Sequence, residues 1–205
     1  MTEYYDDYMD DEVIDDIMKE VENMSENKVN KLNGLRCYLA GPIDHADDDG
    51  KGWRVKTQKW LEKRNAYVFN PCAKPISYQQ YKEIDEEKTK MMALKSSGSY
   101  FELTQRMKEI VHVDLRMVDV SDFVIVYLNP EVKMFGTIHE LITSLQQRKP
   151  TLVVVEGGKS KAPNWLFGLM DYNFMFNSFK ELYEFLTHID EEFIQADLSR
   201  WVFFE

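Results

Sequence analysis

The clearest structural signal in the sequence is Phe123-Val124-Ile125-Val126-Tyr127-Leu128, an uninterrupted hydrophobic run. Similar runs occupy residues 35–40 and 151–155, and glycine or proline residues that favour turns lie next to them. Shorter apolar segments lie at residues 66–69 and 173–176. Because runs without polar alternation are typical of strands covered on both faces, we expect an α/β fold. Its doubly wound, mainly parallel sheet should have about four or five strands flanked by helices.

The segments between these strands have the spacing of amphipathic helices. The predicted helices cover residues 53–64, 78–94, roughly 100–118, 137–148 and 178–188. Thr137 is predicted to cap the fourth of them through its hydroxyl group.

The acidic residues are distributed unevenly along the chain. The net charge is −11, and residues 1–26 contain eleven acidic residues and one lysine, so the remainder is nearly neutral. We interpret residues 1–33 as an acidic extension, helical or disordered, and residues 34–205 as one α/β domain. A nearly neutral domain is not expected to bind duplex nucleic acid, which requires clustered lysine and arginine. Binding of a protein partner through residues 1–30 stays open.

Several classes of protein are disfavoured because their sequence patterns do not occur. There is no membrane-spanning apolar stretch and no signal-peptide pattern, so we expect a cytoplasmic protein that does not contact membranes. Cys37 and Cys72 are too few for a disulfide framework and lack zinc-ligand spacing. The phosphate loop, the dinucleotide-binding glycine motif and the zinc-protease and serine-hydrolase motifs are also missing. We therefore expect no cofactor and no bound metal.

Doubly wound sheets bind ligands beyond the carboxyl ends of their strands, so the residues there are candidates for a site. Those that follow the first and third predicted strands are Gly41, Pro42, Asp44, His45, Asn129, Gly136 and Thr137. The acidic run at residues 47–49 is interpreted as a solvated loop in preference to a Mg²⁺ site, because consecutive acids rarely converge on one ion.

Three carboxylates have two interpretations each. Glu140 follows Thr137 by one helical turn, so it is either the glutamate of a capping box or a carboxylate that attacks an anomeric carbon. Asp114 is either a solvated helix residue or a catalytic group. Asp122 is either a turn residue or a substrate ligand.

Three groups of residues occur in an order that resembles a known family. The first is Tyr38-Leu39-Ala40-Gly41-Pro42-Ile43, the second is Asp114-Leu115-Arg116 followed by Asp119 and Ser121-Asp122, and the third is Gly136-Thr137 with Glu140. Together they resemble the nucleoside 2-deoxyribosyltransferase-like superfamily, which includes deoxynucleoside-monophosphate N-glycosidases. The resemblance covers roughly residues 35–155.

The resemblance implies a catalytic role for three residues. Glu140 would attack C1′ of the deoxyribose, Tyr38 would orient Glu140, and Asp114 would contact the sugar hydroxyls or pass a proton to the base. The loop after the first strand would lie over sugar and base, with Arg54 or Lys51 meeting a 5′-phosphate. The substrate-binding residues implied in this way are Gly41, Pro42, Asp44, His45, Asp49, Trp53, Arg54, Asp122, Asn129, Gly136 and Thr137. A small-molecule nucleoside or nucleotide is the implied ligand, and a homo-oligomer completed by residues 201–205 is the implied assembly.

The chain departs from the family pattern at two points. Met134 stands six residues before Glu140, where the transferases commonly place an acid that helps to hold the base. The loop after the first strand is acidic where the monophosphate glycosidases carry serine and arginine for phosphate. Three functions stay open. The first is cleavage or transfer of the N-glycosidic bond of a deoxynucleoside or its monophosphate, and the second is hydrolysis of NAD or a related ribosyl nucleotide. The third is a catalytically silent role in binding a nucleotide or a protein partner.

Overall fold

A computed structural model of the chain describes residues 30–43, 48–73 and 85–191. The strands are β1 (Arg36–Ala40), β2 (Tyr67–Phe69), β3 (Phe123–Leu128), β4 (Thr151–Val155) and β5 (Met175–Phe176). The helices are α1 (Lys51–Glu62), α2 (Asp85–Ser96), α3 (Tyr100–Val120), α4 (Phe135–Gln146), α5 (Asn164–Leu169) and α6 (Phe179–Asp190). Within this described part, no helix is long and apolar enough to cross a membrane. Most of the acidic extension and all of residues 201–205 lie outside the described residues.

The five strands form one parallel sheet in the order β2-β1-β3-β4-β5. The prediction of an α/β fold with a parallel sheet of four or five strands is confirmed. The chain moves outward from β1 in one direction to β2 and in the other to β3, so the order reverses between β1 and β3. In open sheets of this kind a crevice forms outside the carboxyl ends of the strands at the reversal, and ligands bind there.

Helices cover both faces of the sheet, as the continuous apolar strands predicted. Helices α1 and α6 pack on one face, and α3 and α4 pack on the other. Along β1, Cys37 and Leu39 contribute to the first core, while Tyr38 and Ala40 contribute to the second. The alternation of the strand therefore directs the Tyr38 side chain towards α3 and α4, the two helices that carry Asp114 and Glu140.

Helix α4 begins two residues earlier than the sequence predicted. Met134 occupies the position before its first turn, and no side chain caps that end. Thr137 lies inside the first turn with its side chain buried, so its hydroxyl group is not at the helix terminus. The prediction that Thr137 caps the helix is wrong, and so is the capping-box interpretation of Glu140, because that motif requires the threonine at the cap position.

Candidate active site

The crevice between β1 and β3 holds a hydrogen bond between residues far apart in sequence. The fully buried Tyr38 donates from its phenol to Oε1 of Glu140 at 2.6 Å. Strand β1 fixes the phenol and α4 fixes the carboxylate, so both groups rest on regular elements of the fold. A charge-assisted bond of this length holds the carboxylate in one orientation.

A pocket of about 310 Å³ opens next to this pair. One wall is the turn after β1, with Gly41, Pro42 and Ile43. A second wall is a stripe of α3 around Asp114, and the third is the segment from Lys133 to Glu140 at the start of α4. The volume lies near the lower end of the range for small-molecule sites, which suits a ligand about the size of one nucleoside.

Asp114 lines the same pocket as Glu140 and is itself largely buried. Burial raises the pKa of Tyr38 well above its usual range, and the negative charges of Glu140 and Asp114 raise that pKa further, while Arg54 opposes the change. The phenol is therefore neutral at all physiological pH values and remains a donor. Two carboxylates, Glu140 and Asp114, thus line one pocket, and the neutral Tyr38 hydroxyl group donates to the first of them.

Several predicted substrate-binding residues do line the pocket. Gly41 and Pro42 belong to the wall that follows β1, and Gly136 and Thr137 belong to the first turn of α4. A Cβ at Gly41 would lie 2.7 Å from the Trp53 ring, so a larger residue there would displace that ring. The close packing of Trp53 against the turn therefore favours glycine in this wall.

Arg54 is not available to bind a phosphate, contrary to the prediction. Its guanidinium is fully buried and donates to the backbone carbonyl oxygens of Leu39, Gly41, Pro42 and Gly50. The physical reason is its position on α1, which packs behind the turn after β1. Arg54 therefore holds that turn in place through its hydrogen bonds and is not among the residues that line the pocket.

Two more predicted ligands also lie away from the pocket. Trp53 packs on the α1–α6 face of the sheet, with its ring centroid 5.5 Å from that of Tyr127 and 5.4 Å from that of Phe179. Asp122 lies at the amino end of β3, where its carboxylate binds the Arg36 side chain and backbone N–H. Parallel strands place their amino and carboxyl ends at opposite edges, so Asp122 cannot reach a ligand at the carboxyl edge.

The remaining predicted ligands have local roles or lie outside the described residues. Asn129 accepts a hydrogen bond from the backbone N–H of Glu131 in the loop after β3. Asp49 binds the Lys88 ammonium group of α2 at 2.6 Å. Asp44 and His45 lie outside the described residues. In the described ranges no group of three His, Cys, Asp or Glu side chains is arranged to hold a metal ion.

Much of the pocket lining was not predicted as substrate-binding from the sequence. These additional residues, most of them apolar, are Ile43, Pro71, Ile110, Val111, Leu115, Lys133, Met134, Phe135 and His139. Those on α3 lie at helical spacing around Asp114, so periodicity alone could have found them. The lining residues at the start of α4 could not be found from helical spacing, because the sequence placed the start of that helix too late.

No protein-family model and no curated protein matches the chain. Several solved structures are similar to it, among them the following two. One is a 2-deoxyribosyltransferase from Bacillus psychrosaccharolyticus, with a TM-score of 0.45 and 16% identity over 72% of this chain and 90% of that chain. The other is the CMP N-glycosidase of Clostridium botulinum, with a TM-score of 0.42 and 14% identity over 74% of this chain and 98% of that chain.

Similarity at this level carries no argument about what this chain does.

Proposed function

We propose that the chain cleaves or transfers the N-glycosidic bond of a deoxynucleoside or deoxynucleoside monophosphate, with Glu140 as nucleophile. The observation that supports this most directly is the 2.6 Å hydrogen bond from the buried Tyr38 phenol to the Glu140 carboxylate at the pocket wall. A carboxylate held by a buried donor presents its second oxygen atom in a fixed orientation.

The proposed reaction has two steps. An oxygen atom of Glu140 forms a bond to C1′ while the bond from C1′ to the base nitrogen breaks, and the electron pair of that bond leaves with the base. Water or the nitrogen of a second base then attacks C1′ and releases Glu140 as a carboxylate. The transition state of each step carries positive charge on the sugar ring, which a nearby carboxylate stabilises.

Asp114 suits the second carboxylate role that this reaction needs. The departing base gains an electron pair and requires a proton, and Asp114 lines the same pocket as Glu140. Tyr38 is a positioning residue, because its phenol is buried behind Glu140 and bonds only that carboxylate among the hydrogen bonds described for it.

The apolar part of the pocket supports an aromatic leaving group. Ile110, Val111 and Leu115 on α3 line it together with Met134 and Phe135 at the start of α4. A pocket of about 310 Å³ accommodates one nucleoside more readily than a dinucleotide, which disfavours NAD.

Base release measured by chromatography tests the proposal. Wild-type protein, Glu140→Gln and the surface control Glu184→Gln are incubated with deoxynucleosides, deoxynucleoside monophosphates and NAD, with and without a second free base. We expect base release by wild type and Glu184→Gln but not by Glu140→Gln. A new nucleoside forms with the second base only if the chain is a transferase.

Two outcomes would contradict the proposal. Release of base by Glu140→Gln at the wild-type rate would exclude Glu140 as nucleophile. If wild-type protein binds a nucleotide but releases no base from any compound, the result would favour a catalytically silent binding protein.

A further inference from the structure

A stripe of apolar side chains runs along α3 beside the pocket, and we call it the α3 stripe. Its members are Leu103, Met107, Val111 and Leu115, which are spaced four residues apart and line an open groove. Val111 is 41% exposed, and the other three are half-buried. Every residue that lines this groove belongs to α3, so no second element of the described part of the chain forms a wall of it. An apolar surface left open in this way marks a contact with another polypeptide segment.

The charged side chains beside the α3 stripe are basic. Lys108 and His112 line the same groove, and both are exposed. They follow Thr104 at four-residue spacing, so they form a polar edge along the apolar stripe. A segment that fits this surface has an apolar face bordered by negative charge.

The acidic N-terminal extension has this combination in its sequence. Six apolar residues have the spacing of one helical face, and these are Val13, Ile14, Ile17, Met18, Val21 and Met24. On a helix they would cover about 17 Å, and the α3 stripe covers about 18 Å. Residues 10–26 also contain eight acidic residues and one lysine. The extension therefore matches the groove in length, in apolar pattern and in sign of charge.

The extension joins the described domain at the edge of the sheet where α3 ends. The Asn30 side chain donates to the carbonyl oxygen of Arg64, just before β2, and α3 ends at Val120, just before β3. Both strands pair with β1, so these two points are separated by two strand spacings, about 10 Å. Leu115 lies about 7.5 Å further along α3. Residues 25–29 can span roughly 17 Å, which brings the apolar pattern within reach of the α3 stripe.

We propose that residues 13–24 dock on the α3 stripe of the same chain as an amphipathic helix, with acidic residues facing Lys108 and His112. Apolar residues at helical spacing that fill an apolar groove are a common mode of recognition. Val111 and Leu115 line both the groove and the pocket, so the docked segment lies beside the candidate active site. The inference gives the acidic extension a role that the proposed reaction does not assign to it.

A synthetic peptide of residues 10–26 tests the contact in the full-length chain. The double variant Ile17→Asp/Val21→Asp, called the disabled variant, changes the apolar face of the extension and leaves every described residue as it is. We expect it to bind the peptide at least about tenfold more tightly than wild type, whose groove is already occupied. Fluorescence anisotropy of the labelled peptide measures both dissociation constants. Equal affinity for the two proteins, or no binding to the disabled variant, would overturn the inference.

Substitutions in the groove of the disabled variant locate the contact. Met107→Glu should abolish peptide binding, because it places a charge in the apolar stripe. Lys108→Gln should weaken binding about two- to fivefold at low salt, and because this side chain is exposed the effect does not arise from a folding defect. The matched controls on α2 are Met92→Glu, at a side chain that is 63% exposed, and Lys95→Gln. Both should leave the affinity unchanged, and losses as large as those from the groove substitutions would overturn the inference.

Two other occupants of the groove would give different results. If residues 192–205 cover the α3 stripe, a peptide of that sequence binds the disabled variant's groove and the N-terminal peptide does not. If a second copy covers it, sedimentation shows an oligomer for wild type and the disabled variant and a monomer for Met107→Glu. Either result would overturn the inference. None of these measurements requires turnover, so they keep their meaning if Glu140 proves not to be a nucleophile.

Discussion

Each edge of the sheet holds a carboxylate fixed by a residue distant in sequence, but the partners differ in charge. At the amino edge, Asp122 binds the Arg36 guanidinium, and the pair is partly exposed. At the carboxyl edge, Glu140 accepts a hydrogen bond from the neutral Tyr38 phenol beside a pocket. The Arg36 guanidinium offsets the charge of Asp122 with a positive charge of its own, whereas the Tyr38 phenol orients Glu140 without adding a charge. We therefore expect Asp122 to be structural and Glu140 to be the nucleophile.

Replacing each carboxylate with its amide should produce the largest difference in activity between the two edges of the sheet. Glu140→Gln should lower the rate of base release by at least about a thousandfold, because it removes the nucleophile. Its melting temperature should stay within about 3 °C of wild type, which corresponds to roughly 1 kcal/mol for a chain of this size. Asp122→Asn should retain most of the activity. A similar loss of activity in both variants would contradict the distinction between the edges.

The two arginines near these edges provide a second comparison. Arg54 is buried and donates to four backbone carbonyl oxygens around the turn after β1, whereas Arg36 is partly exposed. Arg54→Met leaves those acceptors without donors and should lower the free energy of unfolding by about 3 kcal/mol. Arg36→Met should lower it by less than about 1 kcal/mol. Chemical denaturation measures both values, and equal losses would show that Arg54 does not hold the turn.

Loss of the phenol tests whether Tyr38 positions Glu140. Tyr38→Phe removes one hydrogen bond to a charged group and should lower kcat about 10- to 100-fold. Substrate affinity should change little, because the phenol is buried behind Glu140. The pKa of Tyr38 is raised, chiefly by burial, so wild-type activity should not fall through phenol ionisation as pH rises to about 10. A change in KM without a change in kcat would argue against positioning.

The smallest expected effect is the change with pH in the stability that the Arg36–Asp122 ion pair gives to the fold. Burial alone would raise the pKa of Asp122, but hydrogen bonds from the Arg36 side chain and backbone and the charge of Arg36 lower it below its usual value. A lowered pKa in the folded state means that the pair stabilises the fold above about pH 4 and that this stabilisation is lost as the pH falls further. The gain is under about 1 kcal/mol, because the pair is partly exposed.

Unfolding of wild type and Asp122→Asn at pH 7 and pH 3 measures this contribution. The wild-type protein should be more stable at pH 7, and the difference between the two proteins should shrink at pH 3. A difference that grows as the pH falls would have the wrong sign for a carboxylate with a lowered pKa.

The parts of the fold that the sequence predicted are those with local signals. Strands β1, β3 and β4 are continuous apolar runs, and such runs indicate buried strands wherever they occur. Helix α5 was not predicted, because its six residues include Gly168 and are too few to display a helical period. The early start of α4 was missed because no polar side chain caps it.

Strand ends account for part of the predicted pocket lining, and the family resemblance accounts for Asp114 on α3. Gly41 and Glu140 follow strands, and the rule for doubly wound sheets leads to both. Asp122 also lies beside a strand, but it precedes β3 and therefore lies at the opposite edge. The role of Arg54 depends on which carbonyl oxygens the folded turn presents to α1, and no spacing in the sequence encodes that arrangement.

The central claim is that Glu140 forms a bond to the sugar carbon of its substrate. Wild-type protein is mixed with a substrate identified by base release, quenched in acid within milliseconds, digested and analysed by mass spectrometry. The account predicts a peptide containing Glu140 that carries the mass of one sugar, and the same peptide without added mass in Glu140→Gln. A sugar adduct on another residue, or undiminished base release by Glu140→Gln, would contradict it.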